Sequence, residues 1–223
     1  LTGLDYLQYR LDTGAWTDLD AVNITFADLP DGLHTLYMRT ADLAGNMNST
    51  SISFTVDTTA PVVTITAPNE SGYVKNGLVT WTVNDVSSVD MTEVSTDGLN
   101  WTVVSGTSHT FTLADGTHTV HVRVRDQVGL VGSDSVTFTI DTTAPVLLIT
   151  SPTEGSYNNT GSVILKWTAS DTNGIVKTEV SKDGSAWTTV TGLSSTVSGL
   201  TDGPWTIHVR VTDPAGNSVT DSV

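Results

Sequence analysis

Cysteine is absent from all 223 residues, which excludes a disulfide framework and every thiolate metal site. Basic residues are scarce, nine Lys and Arg against 24 Asp and Glu, and a formal charge of −15 repels a polyphosphate backbone, so nucleic acid is not an expected partner. No run of about 18 apolar residues occurs, so no membrane insertion is expected of this segment. Nothing resembles a signal peptide, and position 1 is Leu, so the chain reads as mature or as cut from something longer. Glycine-rich phosphate loops are missing. So is any Ser, His and Asp or paired-carboxylate arrangement distinct from recurring turn residues, and no enzyme is expected.

What is present is repetition. Asp57-Thr58-Thr59-Ala60-Pro61 recurs letter for letter as Asp141-Thr142-Thr143-Ala144-Pro145, a period of 84 residues between Pro61 and Pro145. That is close to one β-sandwich and far above a solenoid repeat, so each copy should hold its own core. Three turns repeat between the linkers. One reads Asp12-Thr13-Gly14-Ala15-Trp16, Asp97-Gly98-Leu99-Asn100-Trp101 and Asp183-Gly184-Ser185-Ala186-Trp187. The next begins at Asp31-Gly32, Asp115-Gly116 and Asp202-Gly203, and the last runs from Asp42 to Asn46, Asp126 to Leu130 and Asp213 to Asn217.

Between the turns the chain alternates with period two, as in Val120-His121-Val122-Arg123-Val124, the mark of a half-buried strand. The middle copy is predicted to carry seven strands, near Val62–Thr66, Gly77–Val83, Met91–Ser95, Trp101–Val104, His109–Leu113, His118–Asp126 and Asp134–Ile140. Its expected core is Val63, Ile65, Val79, Trp81, Val94, Phe111, Val120, Val122, Val124, Val136 and Phe138. The expected fold is all-β: tandem immunoglobulin-like antiparallel β-sandwiches strung as beads.

Register divides the chain into a partial repeat over 1–57 that lacks its first strands, a complete repeat over 58–141, and a repeat over 142–223 that lacks its last strand. The open ends suggest either a window on a longer repeat protein or neighbouring subunits that supply the missing strands.

Asp-Gly-x-x-Thr before a strand, Asp-x-Ala-Gly-Asn after it and Asp-x-Thr-Ala-Pro at the boundary together resemble the tandem immunoglobulin-like repeats of bacterial and archaeal cell-surface proteins. The middle copy departs from them, with Gly129-Leu130 where the others have Gly45-Asn46 and Gly216-Asn217. The resemblance implies an extracellular structural protein: a rod or filament segment of a stalk, surface layer or fibre, with self-association or neighbouring repeats as its partners. The alternative is an adhesin or glycan-binding module that meets a cell-surface glycan or protein.

For cofactors the expectation is none, with calcium as the candidate exception. Asp57 and Asp141 lie in the linkers, and Asp42 and Asp126 precede loops that could fold near them; carboxylates there suit a hard cation. The competing reading is that each Asp caps its own turn and needs no metal. Asn23, Asn48, Asn69, Asn100 and Asn158 open Asn-x-Ser/Thr sequons and are candidates for glycosylation.

His34 and His118 give way to Trp205 in the third copy, which argues for surface packing and against zinc. Arg39, Arg123 and Arg210 are expected to pair across strands with Gln8, Glu93 and Glu179. Trp81 and Trp167 read as core. Trp16, Trp101 and Trp187 read as packing residues that would suit glycan stacking only if exposed in a row. Lys75, Lys166, Lys177 and Lys182 do not repeat, which argues against intramolecular Lys–Asn crosslinks.

Overall fold

The computed structural model describes residues 3–20 and 23–223, and every regular element among them is a β-strand. The first copy supplies β1 (Leu4–Leu11), β2 (Thr17–Asp18), β3 (Gly32–Asp42) and β4 (Met47–Val56), paired antiparallel as one sheet in the order β2-β1-β3-β4.

The middle copy supplies β5 (Val62–Ala67), β6 (Gly72–Val74), β7 (Gly77–Asn84), β8 (Val89–Ser95), β9 (Thr102–Val104), β10 (Ser108–Phe111), β11 (Gly116–Asp126) and β12 (Val131–Ile140). These form two sheets, β10-β7-β5 and β6-β12-β11-β8-β9. The third copy adds β13 (Val146–Ser151), β14 (Ser162–Ser170), β15 (Lys177–Ser181), β16 (Thr188–Val190), β17 (Ser194–Ser198), β18 (His208–Thr212) and β19 (Ser218–Ser222), arranged as β13-β14-β17 and β16-β15-β18-β19.

Alternation places the core. Along β11, Val120, Val122 and Val124 are wholly buried, whereas His121 and Arg123 between them face outward. Ten of the eleven expected core residues of the middle copy are buried; Ile65 packs against them partly exposed, and Ile140 joins them. Trp81 and its third-copy counterpart Trp167 each sit in a core at 2% exposure. In the first copy the same pattern lacks a facing sheet among the described residues. Leu36 and Met38, the counterparts of Val120 and Val122, are only half-buried.

Sequence alternation missed β6. It is three residues long, follows the left-handed Ser71 (φ 58°), and pairs parallel with Phe138–Ile140 of β12. Among the described residues its counterpart in the third copy, between β13 and β14, forms no strand.

A repeated polar contact ties the first strand of each sandwich to the last. The edge strand β5 shifts register between Ile65 and Ala67, and there the Ile65 amide donates to Asp134 Oδ2 on β12 at 2.8 Å. In the third copy Ile149 donates to Asp221 Oδ2 at 2.8 Å beside the equivalent shift. The carboxylate thus covers an open sheet edge. Just before β5 the chain passes so close to β12 that a Cβ built on Gly132 would collide with the Pro61 carbonyl oxygen.

Candidate functional site

Each linker is gripped from both sides. On the preceding side, the Asp of the Asp-Gly-x-x-Thr turn reaches across to the two threonines. Asp31 Oδ1 accepts from Thr58 N at 2.9 Å and Thr58 Oγ1 at 2.7 Å, and Asp31 Oδ2 accepts from Thr59 Oγ1 at 3.0 Å. Asp115 holds the second linker alike, accepting from Thr142 Oγ1 at 2.8 Å and Thr143 Oγ1 at 3.1 Å. The donors, led by the Thr58 and Thr142 hydroxyls, hold both carboxyls below the ordinary carboxylate range. The glycines that follow, Gly32 and Gly116, start β3 and β11 at φ 139° and 134°, which side chains rarely adopt.

On the following side lies a cluster of carboxylates. Asp57, Asp85 and Asp126 each place one carboxylate oxygen within 4.8 Å of the others, and Asp141, Asp171 and Asp213 repeat the arrangement. In each set the first Asp comes from the linker. The second follows the strand that carries the core tryptophan, and the third opens the Asp-x-x-Gly turn of the next copy. Asp126, Asp141 and Asp213 are only 1%, 2% and 1% exposed.

The carboxylates divide their labour. Asp126 Oδ1 accepts from Val128 N (2.9 Å), Gly129 N (2.7 Å) and Leu130 N (2.9 Å), which closes the turn. Asp126 Oδ2 is buried with no hydrogen-bond partner. Asp85 Oδ2 accepts from Ser87 Oγ at 2.9 Å and Asp57 Oδ1 from Thr59 N at 3.2 Å, while Asp85 Oδ1, Asp57 Oδ2 and, at the other joint, Asp141 Oδ2 are likewise buried without partners. At the first joint turn-capping and a polar site are therefore compatible, since Asp126 offers a different oxygen to each. An anionic oxygen buried without a donor is unfavourable, and three carboxylates at this distance repel; a cation relieves both.

Of the four aspartates singled out from sequence, the structure unites Asp57 with Asp126 and places Asp141 in the second cluster. Asp42 joins neither. Its oxygens accept from Ala44 N and Asn46 N at 2.9 Å each and from Asn46 Nδ2 at 2.8 Å, in an exposed turn. The reason is direction: a linker aspartate meets the turn of the copy that follows it. Asp85, Asp171 and Asp213 were not anticipated. A signal existed, since Asp85 and Asp171 stand four residues after Trp81 and Trp167, and Asp213 aligns with Asp126.

The five sequon asparagines are all exposed. The Asn100 amide donates to Asp97 Oδ2 at 2.7 Å, and Asn158 Oδ1 accepts from Thr160 N at 2.7 Å. Trp16, Trp101 and Trp187 are half-buried, and Arg39, Arg123 and Arg210 cover a ring face with Cζ 4.1, 4.0 and 4.2 Å from the centroids. Those arginines donate to Gln8, Glu93 and Glu179. His34, His118 and Trp205 share a function that surface packing does not describe. Each donates a ring N–H at 2.8 Å to the carbonyl four residues earlier, on Pro30, Ala114 and Thr201.

Residues 145–220 match the family described as bacterial Ig domain, and residues 20–110 match bacterial Ig-like domain (group 3). The chain is an array of tandem immunoglobulin-like repeats. These immunoglobulin-like repeats are 32% identical over 202 residues to chitinase A1 of Niallia circulans, a match covering 86% of this chain and 26% of that protein. They are 32% identical over 133 residues to halomucin of Haloquadratum walsbyi, covering 54% of this chain and 1% of that protein. The chain thus spans about a quarter or less of the curated relatives it matches. In fold, the immunoglobulin-like repeats resemble the fibronectin(III)-like modules of Clostridium thermocellum CbhA, with a TM-score of 0.55 and 17% identity over 73% of this chain and 92% of that one.

Proposed function

We propose that the chain is a non-catalytic spacer, a rod segment of an extracellular protein that holds other parts of that protein away from the surface bearing them. The observation that carries this reading is that both linkers are clasped in the same way. A preceding Asp holds the two threonines, and the linker's own Asp enters a cluster built from the following copy. Flexible strings do not need such joints. The bacterial Ig-like matches support a surface or secreted setting, and a chitinase of which the array matches 26% fits repeats that separate working parts. Among the described residues no helix is long and apolar enough to cross a membrane.

A filament version of the reading adds self-association through strand complementation, and the half-buried face of β1 and β3 is where a further sheet would pack. The adhesin reading receives less support, because arginines lie over the tryptophans that would stack on sugar. Small-angle scattering over a concentration series tests the proposal: an elongated particle of constant mass is expected. A compact or freely bending particle would refute the rod. Mass that grows with concentration would favour the filament, and binding on a glycan array would favour the adhesin.

A further inference from the structure

We propose that each carboxylate cluster is a calcium site: one ion among Asp57, Asp85 and Asp126 and a second among Asp141, Asp171 and Asp213. The donors are all oxygen, which suits a hard cation and not zinc. Their span also fits. Oxygens bound to one calcium at about 2.4 Å lie at most about 4.8 Å apart, the limit within which each set of three falls.

The independent observation is the orphaned oxygens. Asp126 and Asp141 are about 99% and 98% buried, yet Oδ2 of each has no donor, as do Asp57 Oδ2 and Asp85 Oδ1. Nearly every buried polar atom in a folded protein has a partner. Three unit charges in one place make a divalent cation the partner that balances most of them. Magnesium needs a smaller octahedral shell and keeps its waters, whereas calcium tolerates irregular ligand sets completed by carbonyls and solvent.

The two sites are not equal. At the second joint Asn217 Nδ2 donates to the Asp141 carbonyl at 2.9 Å and to Asp213 Oδ2 at 2.8 Å, and Lys75 Nζ of the middle copy donates to the Gly216 carbonyl. The first joint has Leu130 in place of Asn217 and so lacks these amide contacts. Without the ion the second linker keeps direct bonds to the copy that follows. The first depends more on calcium. The ion thereby sets the stiffness of a joint already clasped by Asp31 on its other side.

The assignment does not depend on whether the array serves as spacer or adhesin, so its failure would leave the rod reading to its own scattering test. The experiment uses the whole chain, stripped with a chelator and titrated with calcium chloride in a calorimeter. About two ions per chain are expected, at the ~10⁻⁴–10⁻³ M affinity of extracellular modules. Melting in about 10 mM calcium should rise by roughly 5–10 °C over the stripped chain, with a smaller rise in equal magnesium. Asp126→Asn and Asp213→Asn keep the turn-capping oxygen and remove the charge, so each should remove one ion and the double variant both. If either folds poorly, Asp57→Asn, whose Oδ2 has no other partner, should remove the first ion. No heat and no shift, unchanged stoichiometry in the double variant, or an equal response to magnesium would overturn the proposal.

Discussion

Replacing Asp134 with alanine tests how the last strand of a repeat holds the first. The Ile65 amide points off the open edge of β5, where Asp134 Oδ2 takes it at 2.8 Å; Oδ1 meanwhile accepts from Ser135 N at 2.8 Å. A hydrogen bond to a charged acceptor contributes about 1.5–3 kcal/mol. Asp134 is half-buried, and water can replace part of the contact, so the lower end applies, about 1.5 kcal/mol. For a repeat of this size, roughly 4–8 °C per kcal/mol, the middle copy should melt about 6–12 °C lower. Hydrogen exchange followed by mass spectrometry locates the loss. The segment containing Ile65 should exchange faster, while the segment containing Ile149, held by Asp221, stays protected in the same molecule. Asp221→Ala should exchange the two outcomes. Unchanged melting with full protection of Ile65, or equal loosening of both segments, would refute the claim that the carboxylate secures the edge.

Two further tests concern the core and pH. Trp81 Nε1 is buried without a partner, so Trp81→Phe removes an unfavourable donor together with ring area. The net loss in urea unfolding should stay below about 1.5 kcal/mol, against about 3–5 for Trp81→Ala; equal losses would show that the indole N–H matters. His34 faces two acceptors, the Pro30 carbonyl and Asp12 Oδ2, each at 2.8 Å, and these raise its pKa, the carbonyl most and the carboxylate next. That stabilisation is complete below the unfolded value of about 6.5 and is lost as pH rises through the raised folded value. The first copy should therefore melt higher at about pH 5.5 than at about pH 8, and His34→Gln should flatten the difference. Asp12, Asp31, Asp42 and Asp115, all lowered by hydrogen bonds, work the other way: their contribution is lost only as pH falls below about 4 toward their folded values.

The sandwich was legible because it rests on local signals. Period-two alternation locates β11 and its valines, and Asp-Gly turns mark the strand starts. What escaped depends on distant partners: β6 exists because Phe138–Ile140 lies beside it, and nothing in Gly72–Val74 announces that neighbour. The joints divide the same way. Asp57 and Asp126 stand out as repeated letters, but burial of a charge cannot be read from a turn motif. Asp42 and Asp126 open turns at equivalent repeat positions, yet one is half-exposed and the other 1% exposed. Asp126 meets a linker Asp and the Asp85 loop, whereas among the described residues Asp42 meets neither. Asp85 and Asp171 were overlooked because Val86-Ser87-Ser88 and Thr172-Asn173-Gly174, the residues after them, do not repeat.

The five-residue linker belongs to both of its neighbours at once: Thr58 and Thr59 answer to the copy before, Asp57 and Pro61 to the copy after. The contacts that both joints share, the Asp clasp on the threonines and the cluster of three Asp, come from equivalent positions of each copy, so duplicating or deleting a whole unit leaves those contacts intact at the splice. Such a chain can change its reach in equal steps over generations without redesigning a single interface. A cut or insertion inside the linker, by contrast, damages two copies together.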